Sequence, residues 1–446
     1  MLATIRKTPL TFSQIINMNV GFFGIQYSFA LQQSAVNPIY DMLGASPEEI
    51  PILNLAGPMT GLFIQPIIGA LSDKTWSPRW GRRKPYFLIG AILCSIALLL
   101  YPFSSELWMA VGLLWILDVG NNTAMEPYRA FVADKLIDEQ RGLGYQAQSF
   151  FTGFGQTLAN LSLFIFPMLL VGKMGKLPAW VYGSFFLGAA CSIISILWSM
   201  RTTPEIPPTE EELKEIRKTK FNILLPFREV PSAIRDMPGV MWQLALVYLF
   251  QWYALFCYWQ NSSKSVALSV WGVTPKSDPA LYEQAVSWTG LVNGWYNIVT
   301  FLTAFGLAWF AKKFLAKHVH FMCLVLAGAG FLAFPHIADK NLLFVVITGF
   351  GIGWASMMGI PYLIVIGSIP KERYGVYMGI INMMIVIPML IQTLSFGYIL
   401  EHFLGNDPRN AITFAGALLL IAAGLTLLIK EKRKASGEVV MQGGGH

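Results

Sequence analysis

The sequence predicts an all-α membrane protein of twelve transmembrane helices arranged as two six-helix bundles. Of its 446 residues 54% are apolar and only 13% are charged, about half the charged share of a soluble domain. Apolar runs of about twenty residues, enough to cross roughly 30 Å of hydrocarbon, recur at 12–34, 52–71, 86–104, 107–132, 146–171 and 179–200. Six more follow at 240–260, 286–311, 320–336, 342–366, 374–400 and 410–429. The longest polar interruption separates the two sets, which predicts an N-terminal bundle over 1–200, a linker over 201–238 and a C-terminal bundle with a short tail over 239–446.

Span 1 follows Arg6 and Lys7 directly, with no small-residue cleavage site, so it is expected to act as its own insertion signal. With both termini cytoplasmic, the loops and tails on that side hold 25 of the 32 Lys and Arg, the opposite side holds 6, and Arg129 lies inside span 4. That asymmetry sets the orientation by the positive-inside rule. It also accounts for the net charge of +7, so no nucleic-acid partner is expected. Cys94, Cys191, Cys257 and Cys323 all fall within spans without paired spacing and read as small packing residues.

The linker contains Pro204, Pro207, Pro208 and the charged run 210–220, expected as a short helix at the membrane surface. Residues 261–284 are expected as an outward connection between spans 7 and 8. Both are too short to be catalytic domains. The halves echo each other where their fourth helices end: Pro127-Tyr128 precedes Arg141-Gly142, and Pro361-Tyr362 precedes Arg373-Tyr374-Gly375. Matching segments six helices apart suggest a duplicated bundle, a layout that holds substrate between its halves near the midplane.

The loop after span 2 carries Gly69, Ser72-Asp73 and Gly81-Arg82-Arg83-Lys84. Gly69 permits close helix approach, Asp73 can accept from neighbouring helix ends, and the arginines can clamp carbonyls or carboxylates of the adjacent bundle. This loop resembles the signature loop of the major facilitator superfamily, and the resemblance implies that Gly69, Asp73, Gly81, Arg82 and Arg83 latch one conformation. A plain positive-inside loop would also supply these arginines.

Span 4 holds Asp118, Asn121, Asn122, Glu126, Pro127 and Arg129. Asp118 lies about twelve residues in, near the bilayer centre, where an ionised carboxylate costs several kcal/mol unless paired or hydrated. Asn122 is one turn on, and Arg129, eleven residues on, returns to within about 20° of the same face. This stripe is expected to face one cavity, with Asp118 taking up and releasing a proton as its surroundings change. Asp118 could instead bond a neighbouring helix, and Arg129 could snorkel. Glu126 could be a ligand, a second titrating group or the partner of Arg129. Buried amides suit the hydroxyls of a neutral polyol, and span 1 supplies Gln26, Gln32 and Gln33 beside Tyr27 and Phe29. The second half adds Gln251, Trp252 and Tyr253, then Asn293, Trp295 and Asn297, then Trp354 and Asn382. Many of the aromatics are expected to serve as interface belt or packing.

These stretches resemble the sucrose/proton symporter-like family, within the glycoside-pentoside-hexuronide:cation symporters of the major facilitator superfamily. The resemblance rests on Gly24-Ile25-Gln26 through Gln32, on Gly57-Pro58 with Gln65-Pro66-Ile67-Ile68-Gly69, and on Gly81-Arg82-Arg83-Lys84-Pro85. Trp115-Ile116-Leu117-Asp118 with Asn121-Asn122, Pro127 and Arg129, and a shorter match from Gly379 to Pro388, complete it. It implies that Asp118 is the protonatable aspartate and Arg129 the arginine tied to sugar and proton coupling, with Asn122 and Gln32 lining the cavity. Glu126 and Gln156 depart from the family pattern, which leaves the sugar open between sucrose, maltose and related glucosides. Short loops and the lack of a long central domain look bacterial rather than plant, so a bacterial inner membrane is expected, and the protein is expected to be a monomer.

The expected function is therefore uptake of a disaccharide with a proton by alternating access, with no cofactor and no metal. Sodium-coupled or uncoupled transport and a transporter-like sensor stay open. An intramembrane enzyme is disfavoured because none of the five histidines sits at useful spacing with an acid inside a span.

Overall fold

The computed structural model describes residues 7–45, 53, 55–218, 226–274 and 277–431. Helices dominate because a lipid-embedded backbone must satisfy its own N–H and C=O groups. In the first half the long helices are α1 (Phe12–Met42), α2 (Ala56–Asp73), α3 (Lys84–Leu100), α4 (Leu107–Lys135), α5 (Asp138–Leu169) and α6 (Ala179–Thr202). Two short linker helices follow, α7 (Glu210–Lys218) and α8 (Pro226–Arg235). The second half contains α9 (Gly239–Val266), α10 (Pro279–Lys313), α11 (Ala316–Ala333), α12 (Leu342–Ile366), α13 (Tyr374–His402) and α14 (Pro408–Leu427). A two-strand hairpin, Lys173–Met174 with Leu177–Pro178, joins α5 to α6.

Local chemistry sets several boundaries. Asp138 and Glu139 occupy the first turn of α5, where carboxylates favour the positive end of the helix dipole. Thr209 and Glu212 exchange side-chain to backbone bonds to open α7, a capping box. Asp278 and Asp407 accept from backbone N–H groups to open α10 and α14. The expected outward loop over 261–284 is a correction: α9 runs on to Val266, a π-helical turn continues to Trp271, and α10 begins at Pro279. The expected linker helix lies over Glu210–Lys218, and residues 219–225 fall outside the described residues.

Among the described residues eight helical segments are long and apolar enough to cross a membrane by composition. The long helices outside that set are α1, α2, α4 and α5. Their buried polar residues, including Gln26, Gln65, Asp118, Asn122, Glu126 and Gln156, lower their apolarity. These four carry the polar residues singled out above in the first half.

Within the first half α1 packs on α5 and α6, α3 on α4 and α6, and α2 on α4; within the second, α9 packs on α14 and α13, and α11 on α12 and α14. Among the described residues the most extensive pairings between halves are α2 with α13, α5 with α10, α5 with α12, and α4 with α13. Large apolar side chains such as Leu302, Ile194 and Leu394 face outward, as lipid-facing surface requires. One end of the bundle carries the Asp73 to Lys84 loop and the linker, called here the basic end; the other carries the Lys173–Pro178 hairpin.

Candidate functional site

The seam between halves starts at the basic end. Gly69 of α2 lies so close to α13 that a Cβ on it would stand 2.2 Å from the Gly375 carbonyl oxygen, so only glycine permits this approach. Asp73 closes the same contact, its two carboxylate oxygens accepting from the backbone N–H groups of Gly375 and Val376, each at 2.9 Å. These are unpaired donors of the first turn of α13, where a carboxylate is favoured by both hydrogen bonding and dipole. Arg83 is fully buried, with Nη2 2.7 Å from Asp73 Oδ1 and Nε 2.7 Å from Asp134 Oδ2. Burial acts against the Arg83 charge, yet the facing Asp134 and Asp73 hold its pKa above the ordinary arginine value.

Arg82 donates from Nη2 to the Asp73 carbonyl at 2.6 Å. Gly81 turns the loop at φ 81°. Glu205, from the linker, accepts from the N–H groups of Arg82, Arg83 and Lys84, each at 2.9 Å. The arginines thus brace their own half rather than the adjacent bundle, which corrects the expected clamp; it is Asp73 that crosses. A cavity of about 560 Å³ at this end is lined by Asp73, Lys74, Arg82 and charged residues of α7 and belongs to the solvated linker.

Deeper in the seam, the span 4 residues divide into two layers instead of one stripe. In the first, Asp118 is wholly buried; its Oδ1 accepts from Gln32 Nε2 at 2.8 Å and its Oδ2 has no partner. Asn122 donates to Thr60 Oγ1 at 2.9 Å and accepts from Gln65. Gln156 donates to Gln26 Oε1 at 3.0 Å. The amide oxygens of Gln32 and Gln65 are buried without partners. In the second layer Arg129 Nη1 bonds Glu126 Oε1 at 2.9 Å. Glu126 is therefore the partner of Arg129.

Across the seam, Asn382 donates to the Gly61 carbonyl at 2.9 Å, and Ser149 donates to the Ala355 carbonyl at 2.8 Å. The Asn297 backbone carbonyl lies against Gly153 of α5, and its side-chain Oδ1 is unpartnered. Gln251 turns within its own bundle, its Oε1 3.2 Å from His320 Nε2, while His320 Nδ1 lies 2.8 Å from Ser356 Oγ. Trp252, Trp259 and Trp354 form a cluster with centroids 5.6 to 6.5 Å apart. The indole N–H groups of Trp252 and Trp354 are buried and unpartnered. Unpartnered buried polar atoms cost about 1–3 kcal/mol each.

Sequence reasoning passed over His320, Asp134, Glu205 and the seam role of Tyr362. Spacing along one chain cannot reveal partners supplied by other helices. Only Tyr362 carried a signal, the repeated Pro-Tyr pair.

A family model for the Major Facilitator Superfamily matches residues 18–393. The chain belongs to that superfamily. It is accordingly a membrane transporter rather than an enzyme. Curated relatives include the sucrose transport protein SUT1 of Oryza sativa subsp. japonica, 25% identical over 98% of this chain and 91% of that protein. Another is the sucrose transport protein SUC4 of Arabidopsis thaliana, 25% identical over 90% and 88%. Among solved structures, FucP in the outward conformation superposes with a TM-score of 0.70 at 14% identity, covering 94% of this chain and 99% of that one. The proton:xylose symporter XylE superposes with a TM-score of 0.65 at 16% identity, covering 94% and 95%. Both likenesses bear on the fold, the twelve-helix arrangement expected from the sequence. The relatives are plant proteins, so the expectation of a bacterial member gains no support from them.

Proposed function

We propose that this transporter carries a disaccharide together with a proton by alternating access, with its basic end in the cytoplasm and sealed in the conformation described. The observation that carries the reading is Asp118, wholly buried, with one oxygen bonded to Gln32 and the other free. Among the described residues no cation pairs with it; Arg129, eleven residues on and about 16 Å away along α4, is engaged by Glu126. An unpaired carboxylate charge at membrane depth costs several kcal/mol, and a bound proton removes that cost. Hydration of the site as the halves rock restores ionisation and releases the proton. Sugar as cargo draws support from the unpartnered amides around Asp118, from the tryptophan cluster, and from the names of the relatives, which are sucrose transport proteins.

Reconstituted vesicles test this with radiolabelled sucrose, maltose and a related glucoside, each under a proton gradient, a sodium gradient and neither. Accumulation driven by the proton gradient is expected for at least one of them. Accumulation that follows sodium alone, or mere equilibration, would replace proton coupling with one of the alternatives.

The latch gives a second expected result. In Gly69→Val the side chain prevents α2 from reaching α13, so transport should slow by about tenfold or more while sugar binding stays within a few-fold, because the residue sits about 6 Å in from the helix end at Asp73. Initial uptake rates and equilibrium binding on the same preparation separate the two. A large loss of binding at wild-type turnover would move Gly69 out of the latch.

A further inference from the structure

The repeated Pro-Tyr pair is used differently in the two halves. Tyr128 stays in its own bundle, its hydroxyl donating to the Met18 carbonyl and its ring stacked on Phe87 at 4.5 Å. Tyr362 crosses the seam. Its ring lies 4.5 Å from the Arg129 guanidinium carbon and stacks on Tyr145 of α5 at 5.7 Å and 28°. One turn earlier on α12, Gly359 faces the Gln146 amide so closely that a Cβ would stand 2.7 Å from Gln146 Nε2.

This places a compact polar layer between the Asp118 layer and the basic end. Glu126 and Arg129 come from α4, Tyr145 and Gln146 from α5, Tyr248 from α9 and Tyr362 from α12. All six are at least nine-tenths buried. Within the layer Glu126 Oε2, Arg129 Nε, both polar atoms of Gln146 and the hydroxyls of Tyr145 and Tyr248 have no partner. The eight residues from Asp118 to Glu126 make about 12 Å of helix, so no single hydroxyl bonds both layers.

We infer that these residues form a second sugar site on the exit side, closed in this conformation by Tyr362 lying over Arg129. Its donors and acceptors, a guanidinium fork, a carboxylate, an amide and phenols, match vicinal hydroxyls of a polyol. When the basic end opens, α12 withdraws Tyr362 and exposes Arg129 to a sugar leaving the Asp118 layer. The inference rests on the proposed sugar transport and adds where the sugar pauses.

Half-saturation measured from each face tests it, using right-side-out and inside-out vesicles and the sugar that the uptake assay selects. Gln146→Leu and Tyr248→Phe should each raise the half-saturation for efflux roughly fivefold, the loss expected for one hydrogen bond of about 1 kcal/mol. Half-saturation for influx should stay within twofold. Gln146→Asn, which keeps an amide, should recover part of the loss and guards against misfolding. Wild-type values from both faces, or equal increases on both, would overturn the exit site while leaving sugar transport standing. A wild type that moves no sugar in either direction would overturn the transport reading, and this one with it.

Discussion

Asp118→Asn should abolish gradient-driven accumulation while leaving sugar exchange across the membrane within a few-fold of wild type. The amide preserves size and can still accept from Gln32, whose Nε2 lies 2.8 Å from the carboxylate, but it cannot take up and release a proton. Accumulation and counterflow of the same labelled sugar, measured in parallel, distinguish lost coupling from lost binding. Wild-type accumulation in the variant would remove Asp118 from the coupling step. Loss of counterflow as well would make Asp118 a binding group.

Arg83→Ala should be the most damaging single change to the fold itself. The side chain is fully buried between Asp73 and Asp134 at 2.7 Å from each, and removing one partner of a buried charge set costs about 3–5 kcal/mol because the remaining charges are left uncompensated. The thermal unfolding midpoint in detergent should fall sharply. The double variant Arg83→Ala with Asp73→Asn should lose less than the sum of the two single changes, since one stranded carboxylate is then neutral. An unchanged midpoint in Arg83→Ala, or strict additivity in the double variant, would show that the latch contributes no stability.

Length and apolarity carried the twelve helices, because crossing hydrocarbon is a constraint on each segment by itself. Asp118, Asn122 and Arg129 stood out for the same reason: polar groups are rare at membrane depth and visible one residue at a time. The closeness of Gly69 to a neighbouring helix was also legible, since a glycine beside an acid at a helix end has few other uses there.

The partners were not legible. Periodicity put Asp118 and Arg129 on one helix face, and the chain by itself left the charge on Arg129 open between Glu126 and solvent. Tertiary packing decided that Glu126 takes it, that Gln32 from α1 takes Asp118, and that the stripe splits into two layers. It also sent Gln251 toward His320 and brought Glu205 from the linker onto the Arg82 to Lys84 backbone. Crossing a membrane is decided by each segment's own transfer from water to lipid, whereas hydrogen bonds and ion pairs reach only about 3 to 4 Å. Which groups come that close depends on how helices distant in sequence pack, and only the folded bundle settles it.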